Sequence, residues 1–171
     1  HKWGYRNLNV GLSGFGDVGH CLVKKLTERG INLVAISNIH GCVYKETGLD
    51  KEALVILKER FGDDCLSRMA EKILPKEALY TLPVDVLIPG AEAYAINSRN
   101  SEEVRAKFIC PVANIPYQVG TTDRLKEKNI ICFPVINQNP IRIKFSYGIW
   151  AARIKWCSLG LGYLLHFPIE F

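Results

Sequence analysis

The chain has 171 residues, 48% of them hydrophobic and 23% charged, with a formal net charge of +5. That length suits one well-packed domain and is short for two, and the balance is that of an ordinary globular chain. Lys and Arg are dispersed, and the densest group, Arg124-Leu125-Lys126-Glu127-Lys128, encloses an acid, so it reads as a solvated helix face rather than a nucleic-acid footprint.

Leu8 to Ser13 reads as a first strand, followed by a helix from about Asp17 to Arg29 and a branched, apolar second strand over Ile31 to Ser37. Asp50 to Phe61 has helical spacing at Leu54, Leu57 and Phe61, with Asp50 placed as an N-cap. Val84 to Ile88, Phe108 to Val112 and Ile130 to Phe133 are further apolar runs of strand length, and helices are expected over about 97–107 and 122–128. Strands alternating with helices predict an α/β, doubly wound, Rossmann-like fold: a mostly parallel sheet with helices on both faces, as a single domain over residues 1–171.

The run from Gly148 to Phe167 is apolar but interrupted by Arg153 and Lys155, so it reads as part of a long C-terminal helix from about residue 145 and not as a membrane span. Six cysteines (Cys21, Cys42, Cys65, Cys110, Cys132, Cys157) are widely spaced and form no C-x-x-C pair. Neither a metal site nor a redox pair is indicated, and a reducing, cytoplasmic setting is expected, with Cys110 and Cys132 as small buried hydrophobes. The chain opens on His1 with no charged-then-apolar leader, which fits a piece of a longer or processed polypeptide.

Gly14-Phe15-Gly16-Asp17-Val18-Gly19 is a G-x-G-x-x-G motif between the first strand and the first helix. In a dinucleotide site Gly14 makes the tight turn, Gly16 lets backbone approach a pyrophosphate, and Gly19 lets the helix pack close to the strand. The helix N-terminus then faces the phosphates. Glycine-rich turns also occur as plain connections, but here the preceding strand, following helix and second strand stand where a βαβ unit needs them. Asn38 ends the second strand where an NAD site usually carries Asp or Glu. Asparagine can bond a ribose hydroxyl but lacks the charge that repels a 2′-phosphate, and His40 lies two residues on, so the choice between NAD and NADP stays open.

Further segments resemble the glutamate/leucine/phenylalanine/valine dehydrogenase family. Ile36-Ser37-Asn38, His40-Gly41-Cys42-Val43-Tyr44 and Gly48-Leu49-Asp50 look like its V-S-D…K-G-x-I-Y…G-L-D stretch. Pro83 to Ala91 resembles its C-D-I-L-I-P-A-A segment, Val112-Ala113-Asn114-Ile115-Pro116 its G-A-N-x-P turn, and Asn129 to Pro134 its G-I-x-x-x-P-D strand end. The spacing from Asn114 to Tyr147 places Asn139 on the Asn of N-A-G-G and Ser146-Tyr147 on its S-Y.

The resemblance covers roughly residues 8–150 and implies the NAD- or NADP-binding domain of an enzyme for reversible oxidative deamination of an amino acid. On it, Gly14, Gly16 and Gly19, with the amides of Phe15, Gly16, Asp17 and Val18, hold the pyrophosphate, and Asn38 sits at the adenosine ribose. Gly90 and Ala91 line the adenine-ribose side, while Asn114 and Asn139 approach the nicotinamide; read without the family, both asparagines are Asx turns at strand ends. The family's catalytic lysine and aspartate belong to a substrate domain marked by a P-G-G-G-K-G-G-like segment. No such segment occurs here, so no catalytic residue is assigned, and an amino acid is expected as substrate only with that domain. The isolated domain is expected as a monomer or weak homodimer.

The sequence also departs from the family pattern. Pro140-Ile141-Arg142 replaces A-G-G, Val135 replaces an Asp, Pro111 stands for a Glu or small residue, and Tyr117-Gln118 fills the place of Thr-Thr. Glycines permit close backbone approach, so bulky residues at 140–142 crowd a nicotinamide pocket. Two other readings therefore stand beside the first: a non-catalytic dinucleotide-binding or interaction module from a truncated dehydrogenase, and another Rossmann oxidoreductase such as a homoserine dehydrogenase. The Asn114 turn and the Asn139 to Tyr147 stretch argue against the latter.

Overall fold

The computed structural model describes residues 8–70 and 72–134. Six strands, β1 (Asn9–Ser13), β2 (Asn32–Asn38), β3 (Gly41–Tyr44), β4 (Val86–Pro89), β5 (Phe108–Ile109) and β6 (Ile131–Cys132), form one sheet in the order β3-β2-β1-β4-β5-β6. All neighbours run parallel except β2 and β3, which are antiparallel. Three α-helices, α1 (Asp17–Glu28), α2 (Lys51–Phe61) and α3 (Thr121–Glu127), and 3-10 segments at Gly62–Arg68 and Lys76–Thr81 connect them. The α/β class and the doubly wound arrangement are those expected from the alternating pattern.

The apolar runs follow from burial on both faces. Val10 and Leu12 of β1, Leu33 and Ile36 of β2, and Val86 and Ile88 of β4 pack with Leu22, Val23, Leu26 and Leu54 of the two longer helices. Val34, Ala35 and Leu87 point to the opposite face, where Leu79, Ile96 and Leu125 cover them. Gly11 sits on that second face, beside a register shift in β1, where an added Cβ would stand 3.1 Å from Val84 Cγ1.

Local chemistry sets the element ends. Asp50 caps α2 as expected, its Oδ1 accepting the Ala53 N–H at 2.9 Å, and Gly62 closes that helix at φ 59°. Strand β3 was not anticipated. It returns from β2 through Ile39-His40, a turn in which Asn38 Oδ1 accepts the His40 N–H at 2.9 Å. Its outer edge is partly closed by paired bonds between Cys42 and Leu74.

The helix expected over 97–107 does not form; that stretch is a series of turns. Its asparagines bond the backbone locally instead. Asn97 Oδ1 accepts the Arg99 N–H, Asn100 Oδ1 accepts the Asn97 N–H, and Asn100 Nδ2 donates to the Ala95 carbonyl. Such bonds compete with the helical ladder. Helix α3 does form close to the expected span. Strands β5 and β6 are shorter than their apolar runs, and Cys110 and Cys132 are only partly buried. The expected C-terminal helix, the Pro140-Ile141-Arg142 departure and Asn139 lie outside the described residues.

Candidate dinucleotide cleft

Strand order places a topological switch point between β1 and β4. Chain direction leads outward from β1 to β2 on one side, and after β3 it crosses to β4 on the other. Crevices at the carboxyl ends of such strands are where open α/β sheets bind ligands. The loops that follow β1 and β4 meet there. Gly14 has φ 99°, its N–H donates to the Ser37 carbonyl at 2.9 Å, and a Cβ on it would stand 2.9 Å from the Ala91 nitrogen. A Cβ on Gly90 would stand 2.7 Å from Val112 Cγ2 and 2.8 Å from the Ser13 carbonyl oxygen. The Val112 and Ala113 N–H groups both donate to the Pro89 carbonyl, bringing the Asn114 turn to the same edge. Beneath it, Ser13 Oγ and Tyr80 Oη lie 3.1 Å apart, and burial pushes the Tyr80 phenol up from its ordinary value.

The three glycines of the fingerprint have distinct environments. A Cβ on Gly19 would stand 2.1 Å from the Gly14 carbonyl oxygen, so only glycine lets α1 approach this turn. Gly14 requires the left-handed region. A Cβ on Gly16 would meet nothing within 4 Å. Open space therefore stands where a side chain at Gly16 would project. Gly16 is also the N-cap of α1 and supplies no side chain to cap it, so the first-turn amides depend on solvent or a ligand for partners. A pyrophosphate fits this cradle through backbone N–H groups and the helix dipole. Asp17 and Val18 occupy the first turn of α1, with Asp17 exposed, whereas Phe15 is buried at 1% exposure and anchors the loop in the core.

A depression of about 530 Å³ opens beside the cradle, lined by Gly16 and by Asp17 and His20 of α1, by Lys58 and Glu59 near the end of α2, and by Gly62 and Asp63 of the 3-10 segment that follows. Lys58 Nζ donates to Asp63 Oδ1 and lies 5.6 Å from the Phe15 ring centroid. That bond and the lysine charge hold the Asp63 carboxyl below the usual carboxylate range. His20 packs edge-on to Phe15, with Nε2 3.5 Å from Glu59 Oε1. Burial, followed by the Lys24 charge, holds its imidazole below the ordinary value.

Of the residues singled out in the sequence, Gly14, Gly16, Gly19, Gly90, Ala91 and the Asn114 turn come together along the carboxyl edge. Asn38 lies at the end of β2, 8% exposed. Its Nδ2 donates to the Asp63 carbonyl at 2.6 Å while its Oδ1 serves the His40 turn. Sequence reasoning missed Lys58, Asp63 and His20. Their signal was present only in part: Gly62 ends a helix, but nothing local says that this helix end lies against Gly16.

Comparisons with known proteins bear on the family and the fold. Residues 2–156 match the family model described as Glutamate/Leucine/Phenylalanine/Valine dehydrogenase. A NADP-specific glutamate dehydrogenase from Synechocystis sp. is 34% identical over 152 residues, covering 84% of this chain and 36% of the relative. A NAD-specific glutamate dehydrogenase from Staphylococcus aureus (strain COL) is 28% identical over 141 residues, covering 82% of this chain and 34% of the relative. The chain thus spans about a third of the length of these relatives. Among solved structures, the hetero-hexameric glutamate dehydrogenase from Thermus thermophilus, in its Leu bound form, superposes with a TM-score of 0.70 at 19% identity. It covers 94% of this chain and 41% of that one, a likeness of fold. On the family match over residues 2–156, this chain belongs to the glutamate/leucine/phenylalanine/valine dehydrogenase family.

Proposed function

We propose that the chain is the dinucleotide-binding part of an NAD- or NADP-dependent amino-acid dehydrogenase of the glutamate type, acting in reversible oxidative deamination. One observation carries the reading: three glycines at the switch point, of which Gly14 and Gly19 are demanded by packing while Gly16 faces open space at an uncapped helix N-terminus. The amides of Phe15 to Val18 hold the pyrophosphate. Gly90 and Ala91 line the adenine-ribose side, and Asn114 approaches the nicotinamide. When bound, the cofactor supplies hydride transfer, and this chain supplies position and electrostatics. The groups that hold the amino acid and move its protons belong to another part of the dehydrogenase, which is why the chain carries no assigned acid or base. As an isolated domain it is a monomer or weak homodimer.

The test is calorimetric titration of the chain with NAD and with NADP, repeated on Gly16→Ala. Binding in the micromolar-to-millimolar range, weakened about tenfold or more by a methyl group placed between backbone and pyrophosphate, is the expected result. Equal affinity in the wild type and Gly16→Ala overturns the assignment of the cradle. The bulky Pro140-Ile141-Arg142 favours one rival, a non-catalytic binding module. Amino-acid-dependent reduction of the cofactor by the full-length polypeptide excludes that rival.

A further inference from the structure

This inference rests on the cofactor reading above and concerns which of the two dinucleotides the cleft accepts. The relatives carry both names, NADP-specific and NAD-specific, so family membership leaves the choice to local residues. Discrimination at such sites falls at the end of the second strand. A carboxylate there accepts hydrogen bonds from the ribose diol and repels a 2′-phosphate. This chain has Asn38 in that place, and its side chain is committed to the main chain at both ends.

One of those commitments has a chemical consequence. The bond from Asn38 Nδ2 to the Asp63 carbonyl pins the turn after α2 to the end of β2. It sets Asp63 on the wall of the depression that also contains Gly16 and Asp17. A carboxylate is thereby delivered beside the strand end from a different element. The cations nearby are already matched. Lys58 is bonded to Asp63 with only 13% of its side chain exposed, and Lys24 pairs with Glu59 at 2.8 Å. With Lys24 set against Glu59 and Lys58 against Asp63, Asp17 is left over, so the acids on and beside the lining exceed the lysines by one charge. A phosphate dianion entering here meets an excess of like charge, whereas a neutral diol meets an acceptor.

We propose that Asp63, held against the end of β2 by Asn38, makes this cleft select NAD over NADP. Replacing it removes the repelling carboxylate and releases Lys58 as a phosphate ligand, so both effects move the preference the same way.

The experiment titrates the full chain and its Asp63→Ser and Asp63→Ser/Lys58→Met variants with NAD and with NADP, with circular dichroism checking the fold of each. The wild type should bind NAD more tightly. Asp63→Ser should shift the NADP-to-NAD affinity ratio toward NADP by about tenfold or more, the scale of one like charge removed from a few ångströms away. Adding Lys58→Met should reverse part of that gain. A wild type that binds both equally or prefers NADP overturns this inference alone, as does an unchanged ratio in a folded Asp63→Ser. A wild type that binds neither overturns the cofactor reading and this inference with it.

Discussion

Replacing Gly19 with alanine tests the closeness of α1 to the β1 turn. The new Cβ would stand 2.1 Å from the Gly14 carbonyl oxygen and 3.0 Å from its carbon. A carbon and an oxygen in van der Waals contact are normally about 3.3 Å apart, so the overlap exceeds about 1 Å. No rotamer relieves it, because the opposing atom is backbone of a turn fixed by the Gly14 N–H bond to Ser37 and by its own φ of 99°. Helix α1 must therefore back away, loosening Leu22, Val23 and Leu26 from the sheet. Overpacking usually costs about 1–3 kcal/mol. With backbone on the opposing side the upper end applies, about 3 kcal/mol, or roughly a 10 °C fall in Tm. Urea unfolding followed by far-ultraviolet circular dichroism measures it, with Gly16→Ala as the control. A Cβ at Gly16 meets nothing, and exchanging an N-cap glycine for alanine costs about 1 kcal/mol or less. If Gly19→Ala unfolds within about 0.5 kcal/mol of Gly16→Ala, the close approach is not what requires glycine, and the division of roles among the three glycines fails.

Other expected outcomes follow from the core, the caps and the titrating groups. Leu54→Ala, at a fully buried position of α2, should lower unfolding free energy by about 2–5 kcal/mol in the same urea experiment. Asp50→Ala should cost about 1 kcal/mol through loss of the bond from the Ala53 N–H, and Asp50→Asn should restore most of it. Burial holds the folded-state pKa of His20 below its ordinary value, so in the window below about pH 6.5 the unfolded chain binds the extra proton. Stability should accordingly fall as pH drops from that value toward the folded-state pKa, and His20→Gln should flatten that part of a urea-midpoint profile. Burial pushes the Cys42 thiol up to about 12 with no surface exposed. Cys42 should stay unmodified by a thiol-alkylating reagent near neutral pH until the chain is unfolded, as peptide mass mapping would report.

Local signals account for much of the fold. The βαβ start, the cap at Asp50 and the positions of α2 and α3 could all be read in the sequence, because capping and amphipathic spacing act within one or two turns of chain. The expected helix over 97–107 failed for the same kind of reason. Asn97 and Asn100 offered the backbone nearer partners, and a tally of apolar positions does not weigh them. Strand β3 was illegible because four residues carry little periodicity, and its place depends on β2 and Leu74 across the chain.

By itself the sequence determined the class of the fold, the glycine cradle and the family resemblance. The cradle rests on six consecutive residues, and the class and resemblance on short segments taken in order, so each signal is local: glycine's backbone freedom and strand-to-helix spacing act directly there. Only the tertiary structure decided which groups surround that cradle. Asn38 and Asp63 are 25 residues apart in sequence and meet through one hydrogen bond, and the end of α2 reaches Gly16 only because α1 and α2 share a core. The charge at the end of β2 is thus set by packing between elements, a long-range property that no local pattern encodes.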